Sequence, residues 1–130
     1  QAADLVSYVE SQRNHRLACK VHKAALMAIR RFWQVLMKRG VSMSDLAETV
    51  RAMDEAVKNA ERVYRTIVQQ HASDWRLLKM YAHFLDVVKH DPWSASRWNT
   101  EAQELQQLEE EAKHDVLGGL VDVTAGGEDQ

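Results

Sequence analysis

Up to Leu117 the chain contains one glycine, Gly40, and one proline, Pro92. Relative to alanine, glycine costs a helix interior about 1 kcal/mol and proline about 3 kcal/mol. A sequence this free of both is permitted long helices and is interrupted only where those two residues stand. No alternating strand pattern competes. The punctuation predicts an all-α fold of four helices, over about 4–39, 43–71, 74–90 and 92–116, forming one domain over 1–117. A flexible acidic tail is expected over 118–130, where two Gly-Gly pairs offer little to bury.

Each junction carries its own signal. Gly40 is suited to the left-handed conformation that ends a helix. Ser42 is placed as an N-cap with Asp45 three residues on, and Val41 and Leu46 have the spacing of a hydrophobic staple. Ser73 is the expected cap of the third helix, with Asp74 near the positive end of its dipole. Asp91-Pro92 reads as an N-cap followed by proline at the first helical position, where its missing N–H is not needed.

The apolar residues have helical periods. In the second helix Leu46, Val50, Met53, Val57, Ala60, Tyr64 and Ile67 alternate spacings of four and three, a continuous seam. The third helix is apolar over a wider arc: Trp75, Leu78, Ala82 and Leu85 stand beside Leu77, Tyr81, Phe84 and Val88, so it is expected to be covered on more than one side. Ala95, Trp98, Ala102 and Leu105 continue the pattern in the fourth. The first helix is disproportionate: at about 1.5 Å per residue it would span ~50 Å, against ~25 Å for the third. Its start should overhang the bundle and leave Leu5, Val6, Val9 and Leu17 uncovered. Ala60-Glu61-Arg62 returns as Ala95-Ser96-Arg97, 35 residues on, near the period of stacked helical hairpins.

At 130 residues the chain is one domain or a piece of a longer protein, and opening on Gln1 rather than Met favours the second. A net charge of -2 argues against a globally basic nucleic-acid binder, but the charge is unevenly spread. From 11 to 44 there are eight basic residues (Arg13, Arg16, Lys20, Lys23, Arg30, Arg31, Lys38, Arg39) and no acid, while 101–130 is the most acidic stretch. Such a split favours an anionic partner at one end, or stacking of unlike ends. Cys19 is the single cysteine, so no intrachain disulfide forms and a reducing compartment is the simpler expectation. The N-terminus lacks a signal-peptide pattern, and no run approaches the ~20 apolar residues of a membrane span.

The segments V63-Y-R-x-I-V-x-x-H-x-S, L77-L-x-x-Y-A-x-F-L-x-V-V-K-x-D91-P and A95-x-x-W-x-x-E-A102-x-x-L resemble half-a-TPR (HAT) and tetratricopeptide (TPR) repeats. With C19-K-V-H-K-A-A-L-M-A-I-R-R-F-W-Q-V-L and M53-D-E-A, residues 10–113 resemble the helical-repeat segment of the tiny macrocysts B/C-like proteins of green algae and protists. The resemblance implies antiparallel TPR/HAT-like hairpins in a cytosolic segment of a large multidomain protein. Members carry transmembrane helices upstream and often PAS-type sensor domains downstream. It implies no catalytic residue and no cofactor. Lys79 stands where the tetratricopeptide pattern has a small residue, so that class's peptide-carboxylate clamp is not carried over.

The remaining constellations are weaker. His15, Cys19 and His22 share one stripe of the first helix, but a fourth zinc ligand is missing. Glu111-Ala-Lys-His114 matches half of a di-iron motif whose other half is absent. His83, Asp86 and His90 share a helix face without a nucleophile, oxyanion donor or phosphate loop, so no enzyme is expected. Lys20 to Arg39 mixes basic residues with Leu26, Ile29, Phe32, Trp33 and Leu36. Such a helix suits calmodulin or an anionic bilayer, while the competing reading puts its apolar half in the core and its cations in solvent.

The expected function is a non-catalytic scaffold or spacer contacting protein partners or other domains of its own chain. The alternative is a HAT-type scaffold in an RNA-processing or other large assembly. The basic face of Arg13, Arg16, Lys20, Lys23, Arg30 and Arg31 is the candidate docking surface, for an acidic protein or an anionic membrane surface on its cytosolic side. Direct nucleic-acid binding is not expected, because the aromatic residues fall on core stripes rather than among exposed cations.

Overall fold

The computed structural model describes residues 2–128, with side chains described through Val121. It contains α1 (Ala2–Leu36), α2 (Met43–Gln70), α3 (Trp75–Val87) and α4 (Pro92–Glu128). The chain is arranged as two antiparallel hairpins, α1–α2 and α3–α4. The link between them is α3, which packs on α1 and α2 as well as on α4, whereas among the described residues α4 touches neither α1 nor α2. This explains the wide apolar arc of α3. Leu77, Leu78, Ala82 and Phe84 are fully buried, and Tyr81 reaches both ways, to Tyr64 on α2 and Trp98 on α4, each ring 5.4 Å away. Ala18, Ala25, Ala60, Ala82 and Ala102 have no exposed surface, so helix axes approach closely where they cross.

The junctions follow local chemistry, with three corrections. Ser42 caps α2 by accepting from the Asp45 N–H, and Gly40 takes φ +72°. The cap of α3 is Asp74 rather than Ser73: its Oδ1 accepts from the Leu77 N–H at 3.3 Å. Asp74 is also held at Oδ2 by His15 and Ser11 of α1, a pull that local sequence does not reveal. Second, α3 ends at Val87 rather than 90. The N–H groups of Lys89 and Asp91 close onto the carbonyls of Phe84 and Leu85, with His90 in the left-handed region at φ +54°. Pro92 disfavours helical backbone at Asp91, so the chain leaves the helix before it.

Third, the expected tail is helical as far as Glu128, and residues 129–130 lie outside the described part. Two glycines at 118–119 weaken a helix by about 1 kcal/mol each, but no proline or cap stops it. Val116, Leu117, Leu120 and Val121 are nevertheless exposed, because α4 has by then passed the start of α3. At the same end of the bundle α1 overhangs too, and Leu5, Val6, Tyr8, Val9 and Leu17 are exposed.

Candidate docking surface

The buried residues of α1 (Ala18, Val21, Ala25 and Val35) turn one side of the helix toward α2 and α3. Arg13, Arg16, Lys20, Lys23, Arg30 and Arg31 fall on the opposite side and are all exposed. Among the described residues none of the six is held in an ion pair. The Lys and Arg ion pairs of the described residues lie elsewhere, on α2 (Arg51 with Glu48 and Glu55, Lys58 with Asp54, Arg65 with Glu61), between Lys89 and Glu61, and on α4. Among the described residues α1 and α4 are not in contact, so the described acids of α4 do not neutralise this row. Glu109 instead accepts from the Trp75 indole N–H at 2.6 Å and pairs with Lys113.

The histidines weighed and set aside as ligands or acid–base groups are engaged otherwise. His15 Nε2 lies 2.7 Å from Asp74 Oδ2. Burial opposes ionisation of Asp74, but hydrogen bonds from His15, the Leu77 N–H and Ser11 outweigh it and hold its pKa below the ordinary value. His22 Nδ1 lies 2.6 Å from the buried Tyr64 hydroxyl, and its ring stacks on His83 at 5.6 Å. Burial first, and His83 second, push the His22 pKa below its ordinary value. Burial first, and Cys19 second, push the Tyr64 phenol upward. A neutral imidazole beside a neutral phenol is satisfied by the Tyr64 O–H donating to Nδ1. His83 and His90 do not share a helix face, because His90 lies beyond the end of α3. Among the described residues no three His, Cys, Asp or Glu side chains are grouped to hold a metal ion.

Two grooves flank the basic side. Lys23 borders one of about 550 Å³ between α1 and α3, with Cys19, His22, Leu26, Lys79, Met80 and His83. The other, about 810 Å³, is apolar and lies beyond the end of α3, where Ile29, Phe32 and Trp33 face Leu46, Val50, Met53 and Val57. It exists because α3 has 13 residues and α2 has 28, so the α2 seam outruns its cover. Trp33 is consequently 55% exposed and Val50 41%. With Trp93 and Tyr8 also exposed, the aromatic residues do not all fall on core stripes as the periodicity suggested. Neither groove has a local sequence signal. The unequal helix lengths are the one clue to the larger.

Stacked helical hairpins joined through the first helix of the second pair define a tetratricopeptide-like helical repeat, a scaffold class that is generally non-catalytic and generally mediates protein–protein contacts. Residues 1–112 match the tetratricopeptide repeats of TmcB, and the chain belongs to that family. It is 24% identical over 105 residues to tiny macrocysts protein C of Dictyostelium discoideum, covering 81% of this chain and 8% of that protein. It is 25% identical over 105 residues to tiny macrocysts protein B of the same organism, covering 81% of this chain and 7% of that protein. The chain thus spans less than a tenth of the curated relatives it matches. No solved structure gives a significant match. Among the described residues no helix is long and apolar enough to cross a membrane.

Proposed function

We propose that this chain is a scaffold and spacer segment of a larger, membrane-anchored, sensor-type protein, and that the basic side of α1 docks an acidic surface of a protein partner or of another domain of its own parent. The observation that carries this is the row of six exposed cations (Arg13, Arg16, Lys20, Lys23, Arg30 and Arg31) without an ion pair among the described residues. Like charges along one helix repel, and an anionic partner relieves that repulsion while steering association. The small share of each relative that the chain covers supports a segment within a multidomain protein. A place on the cytosolic side of a membrane belongs to the same reading, since an anionic leaflet attracts cations within a Debye length of about 8 Å at physiological salt.

The test is binding to phosphatidylserine-containing vesicles and to the parent protein's other domains, at low and moderate salt. Binding that weakens with salt, and is lost when Arg13, Arg16, Lys20 and Lys23 are changed to Glu, supports docking. Binding to vesicles alone makes the membrane the partner. Unchanged binding and salt dependence after the reversal would leave the stripe a solvated helix face.

A further inference from the structure

The outward sides of α1 and α4 carry matching stripes of opposite charge. On α1, Arg16, Lys20, Lys23, Met27 and Arg30 follow one another at spacings of four, three, four and three. On α4, Asp115, Glu111, Leu108, Glu104 and Glu101, read from the C-terminal end, follow the same spacings. This is the period that keeps one side of a helix facing a single neighbour. Each stripe is therefore about 21 Å long, and the two superimpose when the helices run antiparallel.

Each stripe also holds one apolar residue among its charges. Met27 is 61% exposed and Leu108 is 62% exposed. In the antiparallel register Lys23 meets Leu108 and Met27 meets Glu104, so the two apolar side chains are diagonal neighbours flanked by charge pairs. All ten residues are exposed, and none is held in an ion pair among the described residues. They are not each other's partners within one molecule, because α1 and α4 do not touch among the described residues.

We propose that the occupant of the basic stripe is the acidic stripe of a second copy of this chain. The copies stack head to tail, α1 of one molecule against α4 of the next, extending the helical array across the junction. This rests on the reading of the α1 surface as a docking face and names its partner. Charge complementarity argues for it: Arg16, Lys20 and Arg30 face Asp115, Glu111 and Glu101 directly, and Lys23 and Glu104 lie diagonally across the contact, so each stripe relieves the self-repulsion of the other. The contact is heterologous, because different surfaces meet. It propagates into short chains unless the rotation closes a ring. A single strip of helix-on-helix contact is smaller than the ~800 Å² per partner of a standard interface, so the association is weak and salt-sensitive.

Sedimentation velocity of the chain at high concentration, in low and moderate salt, measures it directly. The expected result is a mass that rises with concentration at low salt and returns to the monomer as salt increases. Lys20→Glu with Lys23→Glu should weaken association at least about tenfold, and so should Glu104→Lys with Glu111→Lys. Circular dichroism checks that both variants keep their helices. Mixing the two variants restores opposite charge at both junctions, so the mixture should associate where each alone does not.

A chain that stays monomeric at low salt overturns the proposal, as does association untouched by the Glu104/Glu111 reversal or a mixture that fails to recover. The vesicle experiment separates this failure from that of the underlying reading. If the α1 reversal abolishes vesicle binding while the unaltered chain never self-associates, α1 is a docking face for lipid and not for a second copy. If neither occurs, and the parent protein's other domains do not bind α1 either, both readings fall.

Discussion

Replacing Phe84 with alanine tests the architecture at the point where the two hairpins meet. Phe84 has no exposed surface, and its ring lies 5.0 Å from that of Tyr64 on α2 and 5.7 Å from that of His22 on α1. Truncating a fully buried Phe costs about 3–5 kcal/mol through lost transfer energy and the cavity left behind. Aromatic pairs contribute about 0.5–1.5 kcal/mol beyond their buried area, which puts the expectation in the upper half of that range, about 4 kcal/mol.

That is a large part of the ~5–15 kcal/mol total stability of a typical domain. The loss falls on the α3 contact with α1 and α2, the interface that couples the hairpins. Urea unfolding followed by far-ultraviolet circular dichroism and by tryptophan fluorescence provides the assay. Trp33 reports on the first hairpin, and Trp75, Trp93 and Trp98 on the second. The midpoint should fall sharply, and the two probes should separate as the hairpins uncouple. A loss under about 1 kcal/mol with coincident transitions would refute the claim that α3 joins the hairpins through Phe84.

Two further expectations concern acid and the C-terminal segment. Because burial and His83 lower the His22 pKa in the fold, the unfolded chain protonates first. The contribution is complete above the ordinary value of about 6.5 and is lost as pH falls from there toward the depressed folded value. Urea midpoints measured across that window should decline in the native chain and be flatter in His22→Gln, whose amide oxygen still accepts from Tyr64; equal slopes would assign the acid sensitivity to other groups. Deleting 118–130 should change stability by no more than about 0.5 kcal/mol, since Val116, Leu117, Leu120 and Val121 are exposed. A larger loss in the same denaturation assay would mean that this end of α4 supports the fold.

Local chemistry made much of the fold legible in the sequence. Gly40, Ser42 and Asp91-Pro92 act on backbone within a few residues, so the breaks between helices could be placed from neighbours alone. The period of apolar residues identified most of the core, including Leu78, Tyr81, Ala82, Leu85 and Ala102, and left the cations of α1 on the far side. Periodicity gives the side of a helix on which a residue lies. It does not give what covers that side.

Tertiary structure decided the rest. Asp74 replaced Ser73 as the cap because His15 and Ser11, 59 and 63 residues away, converge on its carboxylate. Val50 and Trp33 belong to apolar rows yet remain exposed, because α3 stops before covering them. The basic and acidic stripes were both written in the sequence, which leaves open whether they neutralise each other. The packing of α4, which among the described residues contacts α3 and no other helix, keeps them apart and turns each toward solvent, since the order of helices along the chain does not fix which helices touch.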